Sequence, residues 1–273
     1  MTAPANAGIF DIHQHVGKLI GIPGSGGADA TLEKDVKVRL AFMDAFGIAQ
    51  AALMPGHSYS SPAGLADTRA LNDTLLACQA LAPDRFPAII GTVEPRHGLK
   101  SIAEVERLHA AGAAGISWHH RMQGLPMDHP VMFALVERMD ALGLIAMAHC
   151  YANGDFEAPW RLRRLAERFP RTTFIALDAQ TSPENLDQIL GAAEAVPNLH
   201  LDLTSTVLGV AGIRACVERL GPTRLVFGSN YYSMGVRTEL EELELLHAAG
   251  LSDADTAMIG GGNARRLLGL DAS

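Results

Sequence analysis

The feature that most constrains this chain is a period. Short, mostly apolar runs recur eight times, each followed by a polar or glycine-containing loop and then a segment of helical spacing. The runs lie at Ile9 to His13, Ala49 to Met54, Pro87 to Val93, Ala114 to His119, Leu144 to His149, Thr172 to Leu177, Leu199 to Leu203 and Arg224 to Gly228. Strands that alternate with helices make βα units and a parallel sheet, because the crossover supplies the helix. The helical segments carry their own stop signals. Leu32 to Phe46 ends at Gly47, Asp67 to Leu81 before Pro83, Ile102 to Ala111 at Gly112, and Val131 to Leu142 at Gly143. Trp160 to Phe169 stops at Pro170, Pro183 to Ala195 before Pro197, and Ile213 to Leu220 at Gly221, and a last helix pair follows strand eight.

Eight such units form either an open doubly wound α/β sheet or a closed barrel, and local pattern does not separate the two. Closure is favoured here. No Gly-x-Gly-x-x-Gly follows the first strand, no linker divides the chain, and polar residues gather just after strands rather than before them. The 273 residues also sit near the roughly 250 of a (β/α)8 barrel, so residues 1–273 are expected to form one TIM-barrel domain. The glycine-rich stretch Gly17 to Gly27 lacks the Gly-Lys-Ser/Thr ending of a phosphate loop and is expected to act as a lid over the barrel mouth.

Charge narrows the partners. A net charge of −8 without any basic cluster excludes a nucleic-acid surface, and no apolar run is long enough to cross a membrane, which leaves a small-molecule substrate. The stretch Met1 to Gly8 has neither the cationic nor the apolar region of a signal peptide, so a cytoplasmic protein is expected. Cys78, Cys150 and Cys216 are scattered and odd in number, which argues for reduced thiols. The barrel edge leaves room for a homodimer, but no stretch of sequence specifies one.

In a closed barrel, chemistry collects at the C-terminal ends of the strands. Strand alternation puts Asp11, His13 and His15 on one face, and two imidazoles side by side suit a metal better than a solvated turn when a third ligand is at hand. His149, at the end of an apolar run, is that third ligand. His119 shares parity with Ser117 and faces inward, whereas Trp118 and His120 face the helices unless the strand end twists. His119 is a candidate acid or base. His120, Arg121 and Tyr231, with Tyr232 beside it, are candidate substrate-binding groups, Arg121 through its two-pronged fork or else as a surface ion pair. Asp178 and Asn230 end strands six and eight, while Asp11 and Asp202 are read as groups that orient histidines.

These motifs resemble the amidohydrolase superfamily, and within it the short metal-dependent hydrolases related to aminocarboxymuconate-semialdehyde decarboxylase. The resemblance rests on Asp11-Ile12-His13-Gln14-His15, Gly115-Ile116-Ser117-Trp118-His119, Ala148-His149, Arg224-Leu225-Val226-Phe227-Gly228-Ser229 and Asn263-Ala264-Arg265-Arg266-Leu267-Leu268-Gly269. It implies a distorted (β/α)8 barrel that holds a divalent metal, zinc first and manganese or iron otherwise, with His13, His15 and His149 among the ligands. Two positions depart from the pattern. The family histidine of strand six is replaced by Asp178, and the aspartate after Gly-Ser of strand eight by Asn230, which cannot accept a proton as a general base. Asp178 is therefore expected as displaced ligand or base. The leading expectation is hydrolysis of an ester, lactone or amide by a metal-bound water. The alternatives are non-oxidative decarboxylation of a hydroxy-aromatic or unsaturated acid, and a barrel that has lost turnover.

Overall fold

A computed structural model of the chain describes residues 8–17, 31–56, 64–151, 154–232 and 239–270. Nine parallel strands form one sheet: β1 Ile9–Val16, β2 Ile48–Pro55, β3 Ala88–Thr92, β4 Gly115–Trp118, β5 Ile145–His149, β6 Phe174–Leu177, β7 Leu199–Asp202, β8 Leu225–Val226 and β9 Tyr231–Tyr232. Their order is β8-β7-β6-β5-β4-β3-β2-β1-β9. Only residues 227–230 separate β8 from β9, and the Ile12 amide donates to the Phe227 carbonyl at 3.1 Å. The eighth stave is thus split, one part pairing with β7 and the other with β1, and the sheet closes as a distorted (β/α)8 barrel. The β8 ladder is shorter than expected because the Phe227 amide turns away to the Ile259 carbonyl at 3.0 Å.

The helices are α1 Leu32–Ala45, α2 Leu65–Leu81, α3 Ile102–Ala110, α4 His120–Gln123, α5 Pro130–Leu142, α6 Pro159–Arg168, α7 Pro183–Ala195, α8 Gly209–Leu220, α9 Glu241–Ala248, α10 Asp253–Ala257 and α11 Asn263–Leu267. Thr31 accepts the Lys34 amide at the start of α1, and Ser182 accepts that of Asn185 at the start of α7, so each cap satisfies an orphan donor. Gly47 and Gly143 follow α1 and α5 at φ 66 and 70, the left-handed conformation that only glycine adopts without strain. Helix α8 begins at Gly209 rather than Ile213, since two glycines in its first turn weaken the helical signal. Among the described residues no helix is long and apolar enough to cross a membrane. Residues 18–27 of the expected lid lie outside the described residues.

Apolar residues form two layers. Phe10, Ile12, Met54, Ile90, Met147, Ile175, Leu177 and Val226 fill the barrel, while Leu53, Ile89, Trp118, Phe174 and Leu201 pack outward against Val36, Leu75, Leu108, Leu135 and Ile189 of the helices. β1 does not alternate simply between them. Its register against β2 runs Asp11↔Ala51 and then Gln14↔Leu53, which is one extra residue and marks a bulge. Ile12 and His13 consequently both turn inward. Asp11, expected beside the histidines, lies instead on the helix-facing side with Gln14, whose amide donates to it at 2.8 Å.

Asp11 is the stitch of the seam. Its Oδ1 accepts the His13 and Ser229 amides at 3.1 and 3.0 Å, and its Oδ2 accepts the Ser229 hydroxyl at 2.5 Å. At the other end of the barrel the Asn263–Gly269 motif does similar work. Asn263 donates to the Pro222 and Leu225 carbonyls, both at 2.8 Å, and Arg265 donates to the Gly8 carbonyl at 3.1 Å. Replacing Asp11 leaves several buried donors without an acceptor. Asp11→Ala is expected to lower the unfolding free energy by about 3 kcal/mol, measured by denaturant titration.

Candidate functional site

Three histidines meet at the mouth. One ring nitrogen from each of His13, His15 and His149 lies within 4.8 Å of the others, all three side chains are buried, and the Nε2 atoms of His13 and His15 are 2.8 Å apart. What aims them is on their far sides. His13 Nδ1 lies 2.7 Å from Asp202 Oδ2, His15 Nδ1 2.6 Å from the Pro55 carbonyl, and His149 Nδ1 3.0 Å from the Trp118 carbonyl. Carbonyl and carboxylate oxygens only accept, so each Nδ1 carries the proton and each neutral ring presents an Nε2 lone pair. Two lone pairs at 2.8 Å repel unless a cation or a proton stands between them. The donor set, three neutral imidazoles with their other nitrogens fixed, therefore fits a divalent ion.

Close approach makes this possible. A Cβ on Gly228 would stand 2.8 Å from that of His13 and 3.2 Å from Asp202 Oδ2, so the glycine of the strand-eight motif makes room for the His13–Asp202 pair. Burial opposes a charge on His13, yet the Asp202 hydrogen bond and the attraction of Asp202, Asp178 and Asp11 outweigh it and raise its pKa above the usual 6.5.

Asp178 stands beside the cluster, 3.9 Å from His149 Nε2. Its Oδ1 accepts from Ser205 at 2.8 Å and from the Asn230 amide at 3.4 Å, and its Oδ2 accepts from the Tyr151 hydroxyl at 2.9 Å. The two positions that depart from the family pattern are thus bonded to each other. Asp178, Ser205 and Asn230 are also the positive-φ residues other than glycine among the described residues, at φ 53, 57 and 49. Strained backbone that converges on one carboxylate is the signature of a functional position.

His119 stacks on His149 with centroids 4.4 Å apart and planes 17° apart, and its Nδ1 lies 2.6 Å from Glu157 Oε1. Tyr232 stacks on His15 at 4.4 Å, and the Arg121 guanidinium sits 4.9 Å over the Tyr151 ring. Two expected substrate groups are not in the mouth. Tyr231 pairs with the helix-facing Gln14, stacks on Phe42 at 3.9 Å and lies under Arg39, so by strand parity Tyr232, not Tyr231, faces the cluster. His120 turns with Trp118 to the helix side, where its Nδ1 donates to the Leu125 carbonyl at 3.1 Å; burial pushes its pKa down to about 3. Sequence reading missed Tyr151, Ser205 and Glu157. They lie in loops with no periodicity, and only their place just after β5 and β7 marks them.

A family model described as amidohydrolase matches residues 10–270. The chain belongs to that family. A search of curated proteins returns no match. Among solved structures it resembles 5-carboxyvanillate decarboxylase from Sphingomonas paucimobilis, at 20% identity over 95% of this chain and 98% of that one, with a TM-score of 0.70. It also resembles 2,6-dihydroxybenzoate decarboxylase from Rhizobium, at 17% identity over 97% and 99% of the chains, with a TM-score of 0.72. A dihydroxybenzoic acid decarboxylase from Polaromonas, with bound manganese and the inhibitor 2-nitroresorcinol, matches at 18% identity over 97% and 98%, with a TM-score of 0.74. These comparisons correct the leading expectation. These three structures are decarboxylases, so the comparisons back the decarboxylation alternative over hydrolysis of an ester, lactone or amide.

Protein supplied with manganese or zinc is expected to retain about one ion per chain, and Asp202→Asn to weaken retention about 10- to 100-fold, by elemental analysis after dialysis. Retention should also fall as pH is lowered. Because the His13 pKa is raised, protons displace the ion from a higher pH than at an ordinary histidine.

Proposed function

We propose that the protein is a divalent-metal-dependent, non-oxidative decarboxylase of a small hydroxy-aromatic or unsaturated carboxylic acid. The observation that carries this reading is the convergence of three pinned imidazoles beside a stacked histidine, on a fold shared over nearly its whole length with solved decarboxylases. His13, His15 and His149 would hold the ion. When bound, it supplies positive charge that anchors a substrate oxygen and stabilises the negative charge left as carbon dioxide departs.

The chain's own groups do the rest. Asp178 accepts from Tyr151, Ser205 and Asn230, so its two oxygens are fixed by donors and it stands beside the cluster as an oriented acceptor. His119 is the group placed to hand a proton to the carbon that loses its carboxylate. Arg121, exposed and 4.9 Å over the Tyr151 ring, offers a guanidinium to a second acidic or phenolic group of the substrate. Tyr232 gives a planar ring a face to lie against. Three imidazole nitrogens suit zinc, and the manganese of the Polaromonas relative makes that ion the second to test.

The test is release of carbon dioxide, without oxygen or an organic cofactor, from a panel of hydroxybenzoates and unsaturated acids by zinc- or manganese-loaded protein. Turnover of at least one panel member is expected, and Asp178→Asn and His119→Gln should each reduce kcat by about 100-fold or more. Metal-loaded protein that releases none from any member would contradict the proposal.

A further inference from the structure

The close donor atoms at the mouth are all neutral. One nitrogen each from His13, His15 and His149 makes up the set, and among the described residues no aspartate or glutamate belongs to it. Asp178 comes within 3.9 Å of His149 Nε2 but stays outside the set, and it is tied down there. Its amide donates to Asp202 Oδ1 at 3.1 Å, its carbonyl accepts from Asn185 at 3.5 Å, and its side-chain oxygens are taken up by Tyr151, Ser205 and Asn230. Asn230 is the other half of a pair. Its Nδ2 donates to Asp178 Oδ1 at 3.4 Å, and turning the amide over would set two acceptors against each other. Oδ1 of Asn230 therefore faces away from Asp178, and it is buried with no hydrogen-bond partner among the described residues. All that this strand end can offer an ion is a neutral carbonyl oxygen.

Donor type decides which ion such a shell prefers. Three imidazoles suffice for zinc in an open site, whereas manganese favours carboxylate and other oxygen ligands. We infer that the Asn230–Asp178 pair sets the metal preference of the site: it keeps the carboxylate one hydrogen bond outside the ligand shell, so that zinc is favoured and manganese is held much more weakly. A carboxylate at that remove attracts every divalent ion alike, since Coulomb attraction depends on charge and distance only. A carboxylate in the shell discriminates, because the bond it makes depends on the hardness of the ion. The position of the acid, and not its presence, is then what selects. Zinc already exceeds manganese in affinity at most nitrogen and oxygen sites, so the assignment is read from how the gap between them moves.

This inference rests on the metal site of the proposed function and not on the reaction run there, and the experiment separates the two. Chelator-treated protein is titrated with each ion alone, zinc against a chromophoric chelator and manganese by loss of the paramagnetic resonance signal of the free ion. Wild type is compared with Asp178→Asn and with the double variant Asn230→Asp, Asp178→Asn. The double variant moves the carboxylate across the same hydrogen bond at constant net charge and nearly constant volume, and both residue types tolerate the left-handed backbone. Asp178→Asn should weaken both ions by a similar factor, about three- to tenfold, and leave the zinc-to-manganese ratio of affinities within about threefold of wild type. The double variant should bind manganese at least about tenfold more tightly than wild type, with zinc within about threefold. Loss of manganese affinity about tenfold greater than loss of zinc affinity in Asp178→Asn would make Asp178 itself a ligand and overturn the assignment. So would a double variant that binds zinc with the wild-type ratio; where the double variant does not fold, the single variant carries the test. Wild-type protein that binds neither ion rejects the metal site and this inference together. The expected affinities in a protein that releases no carbon dioxide support the inference and reject only the reaction.

Discussion

Everything at the barrel mouth depends on hydrogen bonds made on the outer sides of its histidines. Asp202, the Pro55 carbonyl and the Trp118 carbonyl each take one Nδ1–H, and only because they do so can three lone pairs face one point. Those acceptors come from the ends of different strands, so the site is a property of the closed barrel and not of any single motif. The bulge in β1 turns His13 inward, Gly228 leaves space for it against Asp202, and Asp11 locks the seam on which both rely. A rigid frame of this kind is what a metal centre requires, because ligands that must reorganise on binding lose affinity.

The two departures from the family pattern are best understood as one. Replacing a strand-eight aspartate by asparagine removes a negative charge, and replacing a strand-six histidine by aspartate restores one nearby. The structure joins them, Asn230 donating to Asp178 at 3.4 Å, with Ser205 and Tyr151 completing the ring of donors. Three residues held in the left-handed region around one carboxylate show that the fold bears strain to keep it there. His119 stacks on His149, with its Nδ1 2.6 Å from Glu157 Oε1.

Much of this was legible in the sequence because it is periodic. Eight apolar runs located the strands, and glycines such as Gly47 and Gly143 located helix ends, since both reflect local backbone rules. His13, His15 and His149 stood out as titratable groups at the ends of apolar strands. Alternation misplaced Asp11, because a bulge is a tertiary adjustment that leaves no mark in the residue pattern. It also fails to show where a strand restarts: the break between β8 and β9 decides that Tyr232 faces His15 while Tyr231 packs on Phe42. Glu157, Tyr151 and Ser205 sit in loops, where position is set by contacts with other strands and no spacing rule applies.

X-ray absorption at the metal edge of the loaded protein reads the central claim most directly. The account predicts imidazole nitrogens at about 2.0–2.1 Å around zinc, with the imidazole signal reduced by one ring in His149→Ala. A spectrum without imidazole scattering, or one unchanged by His149→Ala, would contradict it.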